Sequence, residues 1–353
     1  MGGLRSLSLA VLFGLAFLAT TASIRTALPW PRGGAFDARM RHFISHVDEY
    51  DLVFVGSSSV ARGFDPAVFD AALAARGHPL RSFNLGVDGM WSLEADYLIR
   101  EIVRRQPTRL RWIVIDLFEL DPKLDSTPES ESDVFTERGF YWHDAWGLAQ
   151  VLRRVFAGSG GLREEARLAW VHVRLAAWRL GNLGQGDIAL ASWWAGPASE
   201  DAGIVQGGGF EALDDLNHPV AGKMRAFYLA NAAQYEGVIA TLDERNARPE
   251  APPEAKRAEI REQSERLRAA NIEPLYIIPP ILRATPSLYG LVKATDVPVL
   301  GFNSPTRYPE LYATEHRWDA THLNRAGAQC LSRLLAERLA DLLDREGRTD
   351  AVH

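Results

Sequence analysis

Asp51-Leu52-Val53-Phe54-Val55-Gly56-Ser57-Ser58-Ser59 is the stretch on which the fold turns. An aspartate and a glycine bound an unbroken apolar run, which reads as a short strand buried on both faces, as in parallel sheets. The glycine hands the chain to three serines at the strand's carboxyl edge. Working outward, Asp65-Pro66 starts a helix through Ala75, with Asp65 as N-cap and proline in the first turn. Arg81–Leu85 reads as a second strand, Leu93–Arg105 as a helix and Trp112–Leu117 as a third strand. Further on, Ala255–Ala270 is a charged amphipathic helix, followed by a strand at Leu275–Ile278 and by Pro279-Pro280. Strand and helix alternate, which predicts an α/β fold with a doubly wound parallel sheet. Ligands in such sheets lie beyond the carboxyl ends of the strands, where Ser58, Gly89 and Asp121 are expected to emerge.

The 353 residues, 47% hydrophobic and 24% charged, are enough for a full core. A net charge of −6 argues against a broad nucleic-acid surface. Cys330 is the only cysteine, which excludes an intrachain disulfide and a cysteine-based metal cluster. Its expected place is a helix after His322, as a small hydrophobe. No metal and no cofactor are expected.

Leu4–Ala22 has one charge, Arg5, and is otherwise dominated by Leu, Ala, Phe and Val. A positive end before an apolar run suits export, with the rest of the chain on the periplasmic side of an inner membrane. Two readings stand: a single N-terminal anchor, favoured here, or a signal peptide cleaved near Ala19–Ser23 to leave a soluble periplasmic protein. The expected organisation is 1–28 leader or anchor, 29–50 linker with a short helix at Phe36–Tyr50, 51–124 and 254–345 the two halves of the core, and 346–353 a tail.

Residues 125–253 break the alternation. They carry Trp142, Trp146, Trp170, Trp178, Trp193 and Trp194, with helical patterns at Trp146–Phe156 and Arg163–Leu180. They read as a mostly helical insertion capping the active-site edge, whose tryptophans mainly pack its own core, the alternatives being a carbohydrate platform or a membrane-facing surface. Neither Gly158–Gly161 nor Gly207–Gly209 has the context of a phosphate loop. His42 and His46 stand four apart, but no carboxylate motif completes a metal set. Asp121, Asp125, Glu129, Glu131 and Asp133 lack calcium-loop spacing.

Far downstream the chain reads Arg317-Trp318-Asp319-Ala320-Thr321-His322-Leu323-Asn324. A serine hydroxyl attacks a carbonyl only if a base takes its proton and a third group orients that base. A spacing of three lets Asp319 and His322 share one side of a helical or turn-like segment, expected to open an amphipathic helix. Taken alone, Ser58 reads as a turn serine capping a helix, and His322 as a helix-start histidine.

Three ordered motifs change that reading. Gly56-Ser57-Ser58 resembles the first block of the SGNH/GDSL hydrolase superfamily, with Ser57 where many members carry Asp. Asn84-Leu85-Gly86-Val87-Asp88-Gly89 is similar to the second block and Asp319-Ala320-Thr321-His322 to the last. The resemblance spans Val53 to about Leu335 and implies a flavodoxin-like three-layer sandwich. It implies a triad of Ser58, His322 and Asp319, with the backbone N–H groups of Ser58 and Gly89 as oxyanion hole. Asn84 is expected to hold the second loop. The third block, normally Gly-x-Asn-Asp, is Asp116-Leu117-Phe118-Glu119-Leu120-Asp121 here and lacks the asparagine. That departure resembles membrane-associated branches that modify envelope polymers, such as alginate O-acetylases and the D-alanyl transfer protein.

The resemblance therefore implies a serine O-acyltransferase that passes an acyl group, acetyl foremost, through Ser58 to a hydroxyl of an envelope glycan. A membrane-bound protein partner would supply the acyl group. The alternatives are a periplasmic carboxylester hydrolase using the same triad and a non-catalytic glycan-binding or scaffold protein.

Overall fold

The computed structural model describes residues 2–27, 34–117, 137–157, 161–181, 203, 205–216, 219–252, 254–295 and 297–350. By internal contacts the chain divides into two units, Met1–Arg41 with Pro122–Ser199 and His42–Asp121 with Glu200–His353. The expected insertion, 125–253, is thus shared between them.

The second unit holds a five-stranded, all-parallel sheet in the order β2-β1-β3-β4-β5. Its strands are β1 (Leu52–Val55), β2 (Ser82–Asn84), β3 (Trp112–Asp116), β4 (Glu273–Ile278) and β5 (Val299–Gly301). Leu52, Val53 and Phe54 pair with Ser82, Phe83 and Asn84 on one side and with Trp112, Ile113 and Val114 on the other. The strand order reverses between β1 and β3, so a crevice opens beyond their carboxyl ends.

Every residue of β1 is buried, because helices cover both faces of the sheet. Leu52, Phe54, Val114, Leu275 and Ile277 join a core with Phe69, Leu73, Leu331, Leu335 and Leu339. The alternate face carries Tyr276, whose hydroxyl bonds Ser264 at 3.0 Å and Gln263 at 2.9 Å.

In chain order the helices are α1 (Gly2–Ala27), α2 (Gly34–Ser45), α3 (Ser58–Ala61), α4 (Pro66–Ala75) and α5 (Ser92–Arg104). They continue with α6 (Glu137–Trp142), α7 (Ala145–Val155), α8 (Leu162–Gly181), α9 (Pro219–Ala230) and α10 (Ala232–Asn246). The last are α11 (Glu254–Ala269), α12 (Pro286–Ala294) and α13 (Arg325–Asp350). Helix α4 begins as expected: Asp65 Oδ1 accepts from the N–H groups of Ala67 and Val68, ahead of Pro66.

In the first unit α1 packs on α8, and α7 and α6 pack on α8 as well. Leu7, Leu9, Leu12, Phe13 and Leu15 of α1 are exposed. Among the described residues no helix is long and apolar enough to cross a membrane. The tryptophans depart from expectation: of the described ones in 125–253, Trp142 is buried, while Trp146, Trp170 and Trp178 are exposed. An exposed face suits the amphipathic pattern of these helices, whose buried sides are lined by Val151, Val155, Leu168 and Leu175. Trp193, Trp194 and the acidic run from Asp121 to Asp133 lie outside the described residues.

Candidate active site

Ser58 is the first residue of the short helix α3, directly after β1. Ser57 caps that helix: its backbone is extended, and its Oγ accepts from the Ser59 N–H at 3.3 Å. Gly56 is required by close packing. A Cβ there would lie 2.4 Å from Val60 Cγ2 and 2.5 Å from Asp116 Cβ.

The loop after β2 lies against this turn. Val87 N–H donates to Gly56 O at 2.9 Å, and a Cβ on Gly86 would strike Ala61 N at 2.2 Å. Asn84 is fully buried and ties the two loops together. Its Nδ2 donates to Val60 O and Phe64 O at 2.9 and 2.7 Å, and its Oδ1 accepts from Gly86 N–H at 2.8 Å. Gly89 ends the loop with φ +63°. The buried Arg62, just past α3, reaches Asp88 Oδ2 at 2.6 Å and Glu211 Oε2 at 2.7 Å. The segment before Gly89 is thereby held to α3.

Asp319 and His322 sit in a tight turn that precedes α13 rather than in its first turn, a correction to the expected helix opening. A bridge between Arg317 and Leu323 closes the turn. Asp319 Oδ1 accepts from the N–H groups of Thr321 and His322 at 2.7 and 2.8 Å, so the carboxylate shapes the backbone it stands on. The helix is delayed to Arg325, where Asn324 Oδ1 accepts from Gly327 N–H at 3.0 Å.

This turn and the end of β1 meet across 264 positions of sequence. His322 Nε2 lies 2.8 Å from Ser58 Oγ, and His322 Nδ1 lies 2.9 Å from Asp319 Oδ2. With Nδ1–H donating to the carboxylate, Nε2 presents a lone pair to the serine hydroxyl. Asp319 is buried, which opposes ionisation. Its bond and attraction to His322 and the two backbone N–H groups nonetheless hold its carboxyl below the ordinary carboxylate range. The arrangement can deprotonate Ser58 and stabilise the imidazolium that results.

The remaining candidates lie elsewhere. His42 stacks on His46 at 4.2 Å between centroids and bonds Tyr50 Oη at 2.9 Å. Among the described residues no cluster of three or more potential metal ligands occurs. Cys330 is half-buried on α13, and burial pushes its thiol up.

Asp116 lies outside the expected set of site residues. It ends β3, fully enclosed, and its Oδ2 accepts from Ser57 Oγ at 2.7 Å. Burial pushes its pKa up to about 6, with Ser57 and Lys256 pulling the other way. The available signal was Ser57 itself, a hydroxyl standing where the resembling family often has a carboxylate.

No protein-family model matches this chain, and no curated protein sequence matches it.

Proposed function

We propose that this chain is an exported, membrane-tethered serine O-acyltransferase of SGNH type. Ser58 Oγ attacks the carbonyl of an acyl donor while His322 Nε2 takes its proton. The N–H groups of Ser58 and Gly89 receive the oxyanion, each such donor being worth about 3 kcal/mol of barrier. The intermediate collapses, His322 gives the proton to the leaving group, and the acyl group remains as an ester on Ser58. A hydroxyl of an envelope glycan then attacks that ester. His322 takes the hydroxyl proton and returns it to Ser58 as the acylated product leaves.

One observation carries this reading: the unbroken chain Asp319–His322–Ser58, at 2.9 and 2.8 Å, beyond the carboxyl end of a parallel strand. The charge-poor run at Leu4–Ala22 supports export and tethering, with a membrane protein as the acyl donor. The absent third-block asparagine supports the polymer-modifying branch over a general esterase.

The test is intact mass spectrometry of the protein after incubation with p-nitrophenyl acetate and a panel of glycan acceptors. One acetyl group on wild type and none on Ser58→Ala is expected, with acetylated glycan as the main product. Free acetate with no acetylated glycan would establish the hydrolase instead. An unmodified wild-type protein would sink both enzymatic readings.

A further inference from the structure

Arg317 lies two residues before Asp319 and is fully buried. A guanidinium in the interior is costly unless its donors are met. Here they are met by backbone carbonyls. Nε donates to Asp319 O at 3.1 Å, Nη1 to Pro280 O at 2.9 Å and Leu311 O at 3.1 Å, and Nη2 to Ala320 O at 3.0 Å. Burial pushes its pKa below the ordinary arginine value, against the attraction of Tyr312, Tyr228 and Asp319. Arginine titrates so high that it remains charged.

The origin of these acceptors is informative. Pro280 follows β4, Leu311 belongs to a one-turn helix at Pro309–Tyr312, and Asp319 and Ala320 form the turn that aims the carboxylate at His322. A single planar fork therefore joins the catalytic turn to the segment just past the carboxyl end of β4 and to a neighbouring one-turn helix. Ala320 O also accepts from Leu282 N–H at 2.8 Å, and Trp318 N–H donates to His322 O at 2.9 Å. A second layer stands outside the first. Arg225 of α9 donates to Arg317 O, and to Trp318 O at 3.3 Å. Trp318 Nε1 donates to Ala221 O at 3.0 Å.

We propose that Arg317 is a positioning residue for acyl transfer: its guanidinium holds the Asp319–His322 turn at the depth where Nε2 meets Ser58, and Arg225 braces it from outside. The proposal rests on the acyl-transfer reading above. Lysine keeps the charge but is a point donor on a flexible stem, so it cannot span three segments with one rigid plane. A displacement of about 1 Å between reacting groups costs about 100-fold in rate.

The experiment measures the p-nitrophenol burst rate and KM with p-nitrophenyl acetate for wild type, Ser58→Ala, Arg317→Lys and Arg225→Gln, with near-UV circular dichroism as the folding check. Arg317→Lys should lower the burst rate about 100-fold and Arg225→Gln about tenfold, both with KM within about threefold of wild type. A folded Arg317→Lys with a wild-type burst rate, or with only KM changed, overturns the proposal. Should Arg317→Lys fail to fold, Arg225→Gln decides: a wild-type rate overturns the proposal and a lower rate at unchanged KM upholds it. A wild type that shows no burst beyond Ser58→Ala sinks the acyl-transfer reading, and the proposal with it. A normal wild-type burst with unaffected variants sinks the proposal alone.

Discussion

The Ser57 hydroxyl donates to the Asp116 carboxylate at 2.7 Å, joining the cap of α3, the helix that carries Ser58, to the end of the neighbouring strand. Burial holds the Asp116 carboxyl up from 3.8 to about 6, so below about pH 6 its neutral form is favoured in the fold. A raised carboxyl contributes stability that is full below its unfolded pKa and is lost as pH rises through the folded one. The loss should run from about pH 4 to about pH 6 and reach about 3 kcal/mol. Asp116→Asn keeps an oxygen for Ser57 and never ionises. It should match wild type near pH 4 and exceed it in stability above pH 7, as measured by urea unfolding across that range. A difference between the two proteins that does not vary with pH would refute this account.

The proposed triad predicts graded losses. Ser58→Ala and His322→Ala should each abolish acyl turnover. Asp319→Asn should leave a small residue, down about 10⁴-fold, because the carboxylate orients the imidazole but does not attack. Ser57→Ala should cost about 1 kcal/mol of stability through the lost cap, and Ser59→Ala less, both with activity remaining. Steady-state hydrolysis of p-nitrophenyl acetate checks the series. A dead Ser59→Ala beside an active Ser58→Ala would move the nucleophile by one position.

Asn84→Ala tests the tie between the first two loops. The substitution strands two buried carbonyls and the Gly86 N–H, and should lower stability by about 3 kcal/mol. Gly86→Ala should also destabilise, since its Cβ would meet the backbone of Ala61 at 2.2 Å. Thermal melts of both variants measure these effects. Wild-type melting of both would mean that the two loops do not depend on this contact.

Export is tested by topology reporters. A C-terminal fusion to an enzyme active only in the periplasm should be active, and deleting Leu4–Ala22 should silence it. Activity that survives the deletion would remove the role assigned to this run.

What the sequence determined by itself is local. The apolar run Leu52–Val55 closed by Gly56, and the Asp65-Pro66 start of α4, are encoded within a few adjacent residues. Strand propensity, capping and proline geometry act at that range. Asp319 and His322 were legible as a pair for the same reason, being three apart. Strand β5 was not, because Val299–Gly301 is too short to show periodicity and earns its place only by pairing with Tyr276–Ile278. Nor could the sequence show that α9 and α10 fall in the unit that holds the sheet, since their apolar residues suit an insertion core equally well. The delay of α13 to Arg325 was hidden too, because the Asp319 side chain, by accepting two backbone N–H groups, replaces helix with a turn. Tertiary structure alone brought Ser58 to His322, Ser57 to Asp116 and Arg317 to the Pro280 carbonyl. Each meeting joins groups whose hydrogen-bonding needs, once buried, can be met only by partners from distant parts of the chain.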